Sequence, residues 1–131
     1  MLFHTFPSQE ARRAFGGSDF IEMQYCKLGK DCEIGTIVSA DVIQFWQTDS
    51  LYLFGNDMTT FETHYGKIFT GGIYNNGNRG PVDLCGINFF SQKQLIQIAD
   101  RIRKDKPLDY QTLLNWLEAG KQYIGFYLLG V

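Results

Sequence analysis

The sequence predicts an α+β domain: a mostly antiparallel β-sheet with a short N-terminal helix and two C-terminal helices before a final buried strand. Three observations carry this. The chain has 131 residues, the length of a single domain spanning 1–131 with one core. It holds 11 Phe, 7 Tyr and 14 Gly but only 3 Pro, a composition that suits strands joined by tight turns. Its apolar residues recur with a period near two up to residue 90 and near 3.6 afterwards.

The elements follow in order. Ser8 is placed to cap a helix over Gln9–Phe15, which Gly16-Gly17 stops. Phe20–Tyr25 alternates in part and reads as a strand. Ile34 through Trp46, Phe45 included, is rich in β-branched and apolar residues and also reads as strand, bent at Ser39-Ala40-Asp41. Ser50–Phe54 is a short apolar strand closed by Gly55-Asn56-Asp57. Thr59–Tyr65 alternates loosely as a further strand, and Lys67–Tyr74 is a strand that Gly71-Gly72 bends or bulges. Residues 75–81, Asn-Asn-Gly-Asn-Arg-Gly-Pro, are the strongest loop signal, because Asn and Gly tolerate positive φ and Pro81 interrupts pairing. Val82–Phe90 reads as a buried strand.

Then the period changes. Ser91 and Gln94 match a capping box, and Leu95, Ile98, Ala99 and Ile102 form one apolar helical face. Pro107 ends that helix. Asp109 is placed to cap the next, whose Tyr110, Leu113, Leu114 and Leu117 share a face and which Gly120 stops. Tyr123–Val131 is apolar throughout, the pattern of a strand buried on both faces in the middle of a sheet.

Charge excludes some functions. The formal net charge is −2, so a whole-protein electrostatic grip on nucleic acid is not expected. Residues 18–83 carry nine acids against four bases, whereas 84–131 carry six bases against four acids. The sheet region is thus acidic, as ordinary solvated charge or as a face that steers a basic partner. No apolar run approaches the roughly 18–20 residues of a membrane span. Cys26, Cys32 and Cys85 are odd in number and irregular in spacing, unlike a secreted disulfide framework. Met1–Pro7 has no basic segment followed by a long apolar one, so no signal peptide is visible. Both facts point to a reducing cytoplasm.

No motif names a reaction. Glu62-x-His64 would share a strand face at a metal-compatible spacing, but no third ligand lies near in sequence. Cys85, within an apolar run, reads as a buried small hydrophobe. Gly71-Gly72 and Gly77–Gly80 do not open a helix as phosphate-binding glycines do. No catalytic residue, metal site or cofactor is assigned. The aromatics exceed the needs of a small core, and some are interleaved with Asp49, Asp57 and Glu62, the makings of an acidic–aromatic contact surface.

Several segments carry a resemblance: Cys85–Ser91, Lys104–Tyr110, Leu113–Glu118, Tyr123–Tyr127 and, in the first half, Ile34–Ser39 with Phe45-Trp46. Together, over about half the chain, they resemble bacterial immunity proteins of contact-dependent growth inhibition and related polymorphic-toxin systems. The resemblance implies a small cytoplasmic α+β domain that binds a cognate toxin domain, often a nuclease, and neutralises it, often by covering its active site. It implies no enzyme activity and no cofactor, and it carries over no contact residues. A nuclease cleft is basic, so an acidic face is a natural plug. The candidate partner-binding residues are therefore the turn-proximal acids Asp31, Glu33, Asp49, Asp57 and Glu62, with Asn76 and Arg79 of the 75–81 loop inserting or bracketing. The partner expected is the toxin domain, with no direct nucleic-acid or membrane binding, and the protein itself a monomer or weak homodimer. The competing expectation is a ligand-binding domain or enzyme with a Cys/His site in an aromatic pocket. Its reactive group would be Cys32, Cys85 or His64. A third is a homo-oligomeric structural subunit.

Overall fold

A computed structural model describes residues 1–44 and 46–130. Phe45 and Val131, which the sequence reading placed in strands, lie outside them. The framework is a six-stranded sheet in the order β2-β1-β6-β5-β3-β4, formed by β1 (Phe20–Cys26), β2 (Leu51–Phe54), β3 (Thr70–Tyr74), β4 (Arg79–Pro81), β5 (Ile87–Ser91) and β6 (Gly125–Leu129). All its pairings are antiparallel. The C-terminal strand β6 lies between β1 and β5, as its unbroken apolar character predicts.

Alternation along the strands builds two unequal layers. Ile21, Met23 and Tyr25 of β1, Leu51 and Leu53 of β2, Phe90 of β5, and Phe126 and Leu128 of β6 point into the main core. Helices α4 (Gln92–Asp105) and α5 (Tyr110–Ala119) cover them with Leu95, Ile98, Ala99, Ile102, Leu113 and Leu117. The Ser91–Gln94 capping box is present, with Gln94 N donating to Ser91 Oγ at 3.2 Å and Ser91 N to Gln94 Oε1 at 2.9 Å. The opposite face holds a smaller cluster of Cys26, Ile73, Phe89 and Tyr127, covered by Ile37 and Val38.

Helix α1 (Gln9–Phe15) forms as its cap predicts, Ala11 N donating to Ser8 Oγ at 3.0 Å. The bulge expected at Gly71-Gly72 is present between Thr70 and Gly72. Pro81 stands at the end of the edge strand β4 opposite Thr70, where a missing N–H costs no ladder bond.

Four readings are corrected. The described residues of Ile34–Trp46 are not a strand: they contain the short helix α2 (Ile34–Ile37) and a 3-10 turn at Ala40–Val42, whose Asp41 N donates to Ser39 Oγ at 3.2 Å. Ser39 bonds to its own local backbone, and Ile37 and Val38 are buried on the second face of the sheet, so the segment lies across that face rather than joining it. Thr59–Tyr65 belongs to helix α3 (Met58–Tyr65). Phe61 and Tyr65 are buried one turn apart against Phe3, while Glu62, Thr63 and His64 are exposed. Glu62 and His64 therefore do not share a strand face. Val82–Phe90 is strand only from Ile87. Buried Asn88 takes up the preceding turn, accepting from Asp83 N at 2.8 Å and donating to Asp83 O at 2.8 Å, which leaves Cys85 exposed rather than buried. Asp109 occupies the N-cap position of α5, but its carboxylate accepts from Leu2 N at 2.8 Å and Phe3 N at 3.0 Å, pinning the N-terminus instead of capping the helix.

Candidate partner-binding surface

The thin cover over the second face leaves a groove. Its floor is Ile73, Phe89 and Val38; one wall is Ile34 and Gly35 of α2; the other is the β3–β4 hairpin, with Asn75, Asn76, Gly77 and Arg79. The open space is about 560 Å³, and Ile34 beside it is 45% exposed. The local sequence dictates the hairpin. Tyr74 N donates to Asn78 O at 2.8 Å, Gly77 turns the chain at φ +87°, and Asn78 N donates to Asn76 Oδ1 at 2.9 Å. Asn75 Nδ2 donates to Val38 O at 2.9 Å, so the two walls are tied together at one end. Arg79 lies along the hairpin, its Nη1 donating to Gly71 O at 3.1 Å. It is the one ionisable residue of the groove lining.

Two of the sequence-predicted residues, Asn76 and Arg79, thus meet on this groove. Asp31 and Glu33 are exposed in the segment leading into α2, and Glu33 holds its N-cap position without a side-chain capping bond. The others lie elsewhere. Asp49 is ion-paired to Lys27 at 2.8 Å, and its backbone oxygen accepts from Trp116 Nε1 at 2.7 Å on the helix side of the sheet edge. Glu62 is on α3, and Asp57 ends the 3-10 turn Gly55–Asp57 at the N-cap position of that helix. The candidate acids do not form one face.

The cysteines and histidines do not assemble either. Cys26 is buried, with its Sγ 3.4 Å from the Tyr127 hydroxyl; Cys32 is half-buried, Cys85 exposed, and all three are free thiols. His64 is exposed on α3, and His4 sits among Phe6, Phe15 and Phe54. No hydrogen bond joins a cysteine to a histidine among the described residues. No group of three or more His, Cys, Asp or Glu among them is placed to hold a metal ion. No helix among them is long and apolar enough to cross a membrane.

Sequence reading missed a buried polar cluster beneath the 39–49 segment. Glu22 and Gln24 stand four and two residues before Cys26 on β1, so they share its thinly covered face. Glu22 Oε2 accepts from Gln24 Nε2 at 2.6 Å and from Ser50 Oγ at 2.7 Å, and the same Gln24 amide donates to Gln44 O at 2.6 Å. Trp46 stacks on Tyr52 with ring centroids 5.8 Å apart. The Tyr52 hydroxyl and Gln47 Oε1 are buried without hydrogen-bond partners among the described residues. Desolvation pushes the Glu22 carboxyl above its usual 4.5, opposed by bonds from Gln24 and Ser50, by the nearby Tyr52 hydroxyl and by Arg12. The signal was present as Glu22 and Gln24 inside an otherwise apolar strand, polar at alternate positions.

A folded-state pKa above the unfolded one contributes stability below the unfolded value and loses it as pH rises through the folded value. Glu22→Gln therefore stabilises the protein near pH 8 by on the order of 1 kcal/mol, because its amide oxygen keeps the two accepted bonds and its NH₂ adds a donor beside the unpartnered Tyr52 hydroxyl. Thermal melts at pH 4, 6 and 8 check this. The advantage shrinks towards pH 4, and an advantage independent of pH refutes the assignment.

No protein-family model, curated protein or solved structure matches the chain.

Proposed function

We propose that this chain is an immunity-type binding protein. It neutralises a cognate toxin domain, of nuclease class, by docking over its active site. The observation that supports this best is the groove between α2 and the β3–β4 hairpin, with its apolar floor, its polar hairpin wall and, beside it, the acids Asp31 and Glu33, which form no ion pair among the described residues. An apolar centre with polar and charged margins is how protein interfaces are built. The acids add attraction for the basic cleft that a nuclease needs to hold phosphate. The resemblance of Ile34–Ser39 to the immunity families falls on one wall of the same groove.

The groove volume also lies within the roughly 300–1,000 Å³ of small-molecule sites, which favours a ligand-binding domain as the second reading.

The test is a growth assay in which the open reading frame immediately upstream is expressed with and without this protein. The expected result is that the neighbour arrests growth, that this protein restores it, and that the two co-elute as one complex. Arrest without rescue refutes the pairing and moves the ligand-binding reading ahead.

A further inference from the structure

A second concavity, of about 270 Å³, lies at the other end of the molecule, where the loop after α1 meets the turn after β2; Gly17, Ser18, Asp19, Phe54, Gly55 and Asn56 line it. Its shape depends on two glycines. Gly17 has φ +78°, a left-handed conformation that side-chain-bearing residues rarely adopt, and a Cβ there would stand 2.9 Å from Phe54 Cδ1. A Cβ at Gly55 would stand 2.5 Å from Asp19 Oδ2. Side chains at either position would fill the cradle. The two loops are locked together by Gly55 N donating to Asp19 O at 2.8 Å.

The chemistry of the lining is one-sided. Asp19 is exposed and forms no ion pair among the described residues, and neither does Asp57 beside Asn56. No cation lines the concavity. Arg12 of α1 is committed elsewhere, its guanidinium 4.6 Å from the centre of the Phe20 ring. The Phe54 ring supplies an apolar wall, and Phe15, 56% exposed, extends it outward with its ring centroid 4.9 Å from that of Phe54.

We propose that this cradle receives the guanidinium group of an arginine side chain presented by a protein partner. A planar cation with five donors matches the Asp19 carboxylate and the Asn56 amide oxygen, and its aliphatic stem matches the Phe54–Phe15 wall. The compact ammonium of lysine satisfies fewer of these acceptors. Identifying the partner with the toxin domain rests on the preceding proposal; the cradle's specificity does not.

The test is an NMR titration of the ¹⁵N-labelled protein with N-acetyl-arginine amide, N-acetyl-lysine amide and free arginine. Saturable shifts confined to residues 17–19 and 55–56 are expected with the capped arginine, weaker ones with lysine. Asp19→Asn reduces affinity at least about tenfold, roughly 1.4 kcal/mol, whereas Asp41→Asn, at an exposed acid outside both candidate surfaces, leaves it unchanged. The spectra themselves report that each variant is folded. No saturable shift, or equal affinity in Asp19→Asn, overturns the proposal. Tighter binding of free arginine than of the capped form overturns a protein source. If growth rescue fails while the cradle still binds arginine, only the proposed function falls.

Discussion

Gly125→Ala disrupts the sheet at its centre, at a cost of more than about 4 kcal/mol, the range reserved for changes that break a core contact outright. Gly125 begins β6, paired with Cys26 on one side and Ser91 on the other. An ideal Cβ there overlaps the backbone oxygen of Phe90 and stands 2.8 Å from Phe89 Cζ. The carbonyl belongs to a neighbouring strand and cannot swing away as a flexible side chain would. The strand that moves to relieve the overlap takes with it Phe126 and Leu128, both fully buried against α4 and α5. With total stabilities of about 5–15 kcal/mol for such domains, much of the margin goes. Urea unfolding measures it. Gly29→Ala, where a Cβ would meet nothing within 4 Å, leaves the midpoint unchanged or slightly raised. A Gly125→Ala midpoint within error of the parent protein refutes the account.

The contrast between these glycines shows what the sequence could and could not reveal. Local rules read the starts of α1 and α4 correctly, because their caps are local. Ser8, Ser91 and Gln94 bond to backbone three residues away. The central place of β6 was legible from hydrophobicity, since only a strand covered on both faces tolerates Phe126, Tyr127 and Leu128 in succession. Phe61 and Tyr65 misled as strand because seven residues hold too few periods to separate two from 3.6. Asp109 misled for another reason. Its side chain suits a cap, yet two N-terminal amides more than a hundred residues away claim it. The sites divide in the same way. Asn76 and Arg79 stayed together because one hairpin carries both. Asp31, Asp49 and Glu62 were grouped by charge alone, and long-range topology separates them. Ser18-Asp19 and Asn56 form a cradle only because β1 and β2 pair antiparallel, which brings Phe20 opposite Phe54.

That separation makes the electrostatic part of the proposed function sharp. Reversing Asp31 and Glu33 together to lysine weakens the cognate complex about hundredfold at low salt, roughly 2.7 kcal/mol. Close charge pairs at protein interfaces couple by about 1.5–7 kcal/mol, so two of them at the groove suffice. The loss is mainly in association rate and shrinks as salt shortens the Debye length from about 30 Å at 0.01 M to about 8 Å at 0.15 M. Asp57→Lys with Glu62→Lys changes the net charge equally but at α3 and its N-cap, so it isolates position from total charge. If the partner seats on the groove, the first pair of reversals carries the affinity loss and the second leaves most of it intact. Equal losses from both pairs mean that overall charge, not the groove, draws the partner. Unchanged affinity and salt dependence in both removes the acidic plug altogether. Asp31, Glu33 and Glu62 are exposed and Asp57 is half-buried, and none of the four forms an ion pair among the described residues, so neither double variant breaks an ion pair of the fold.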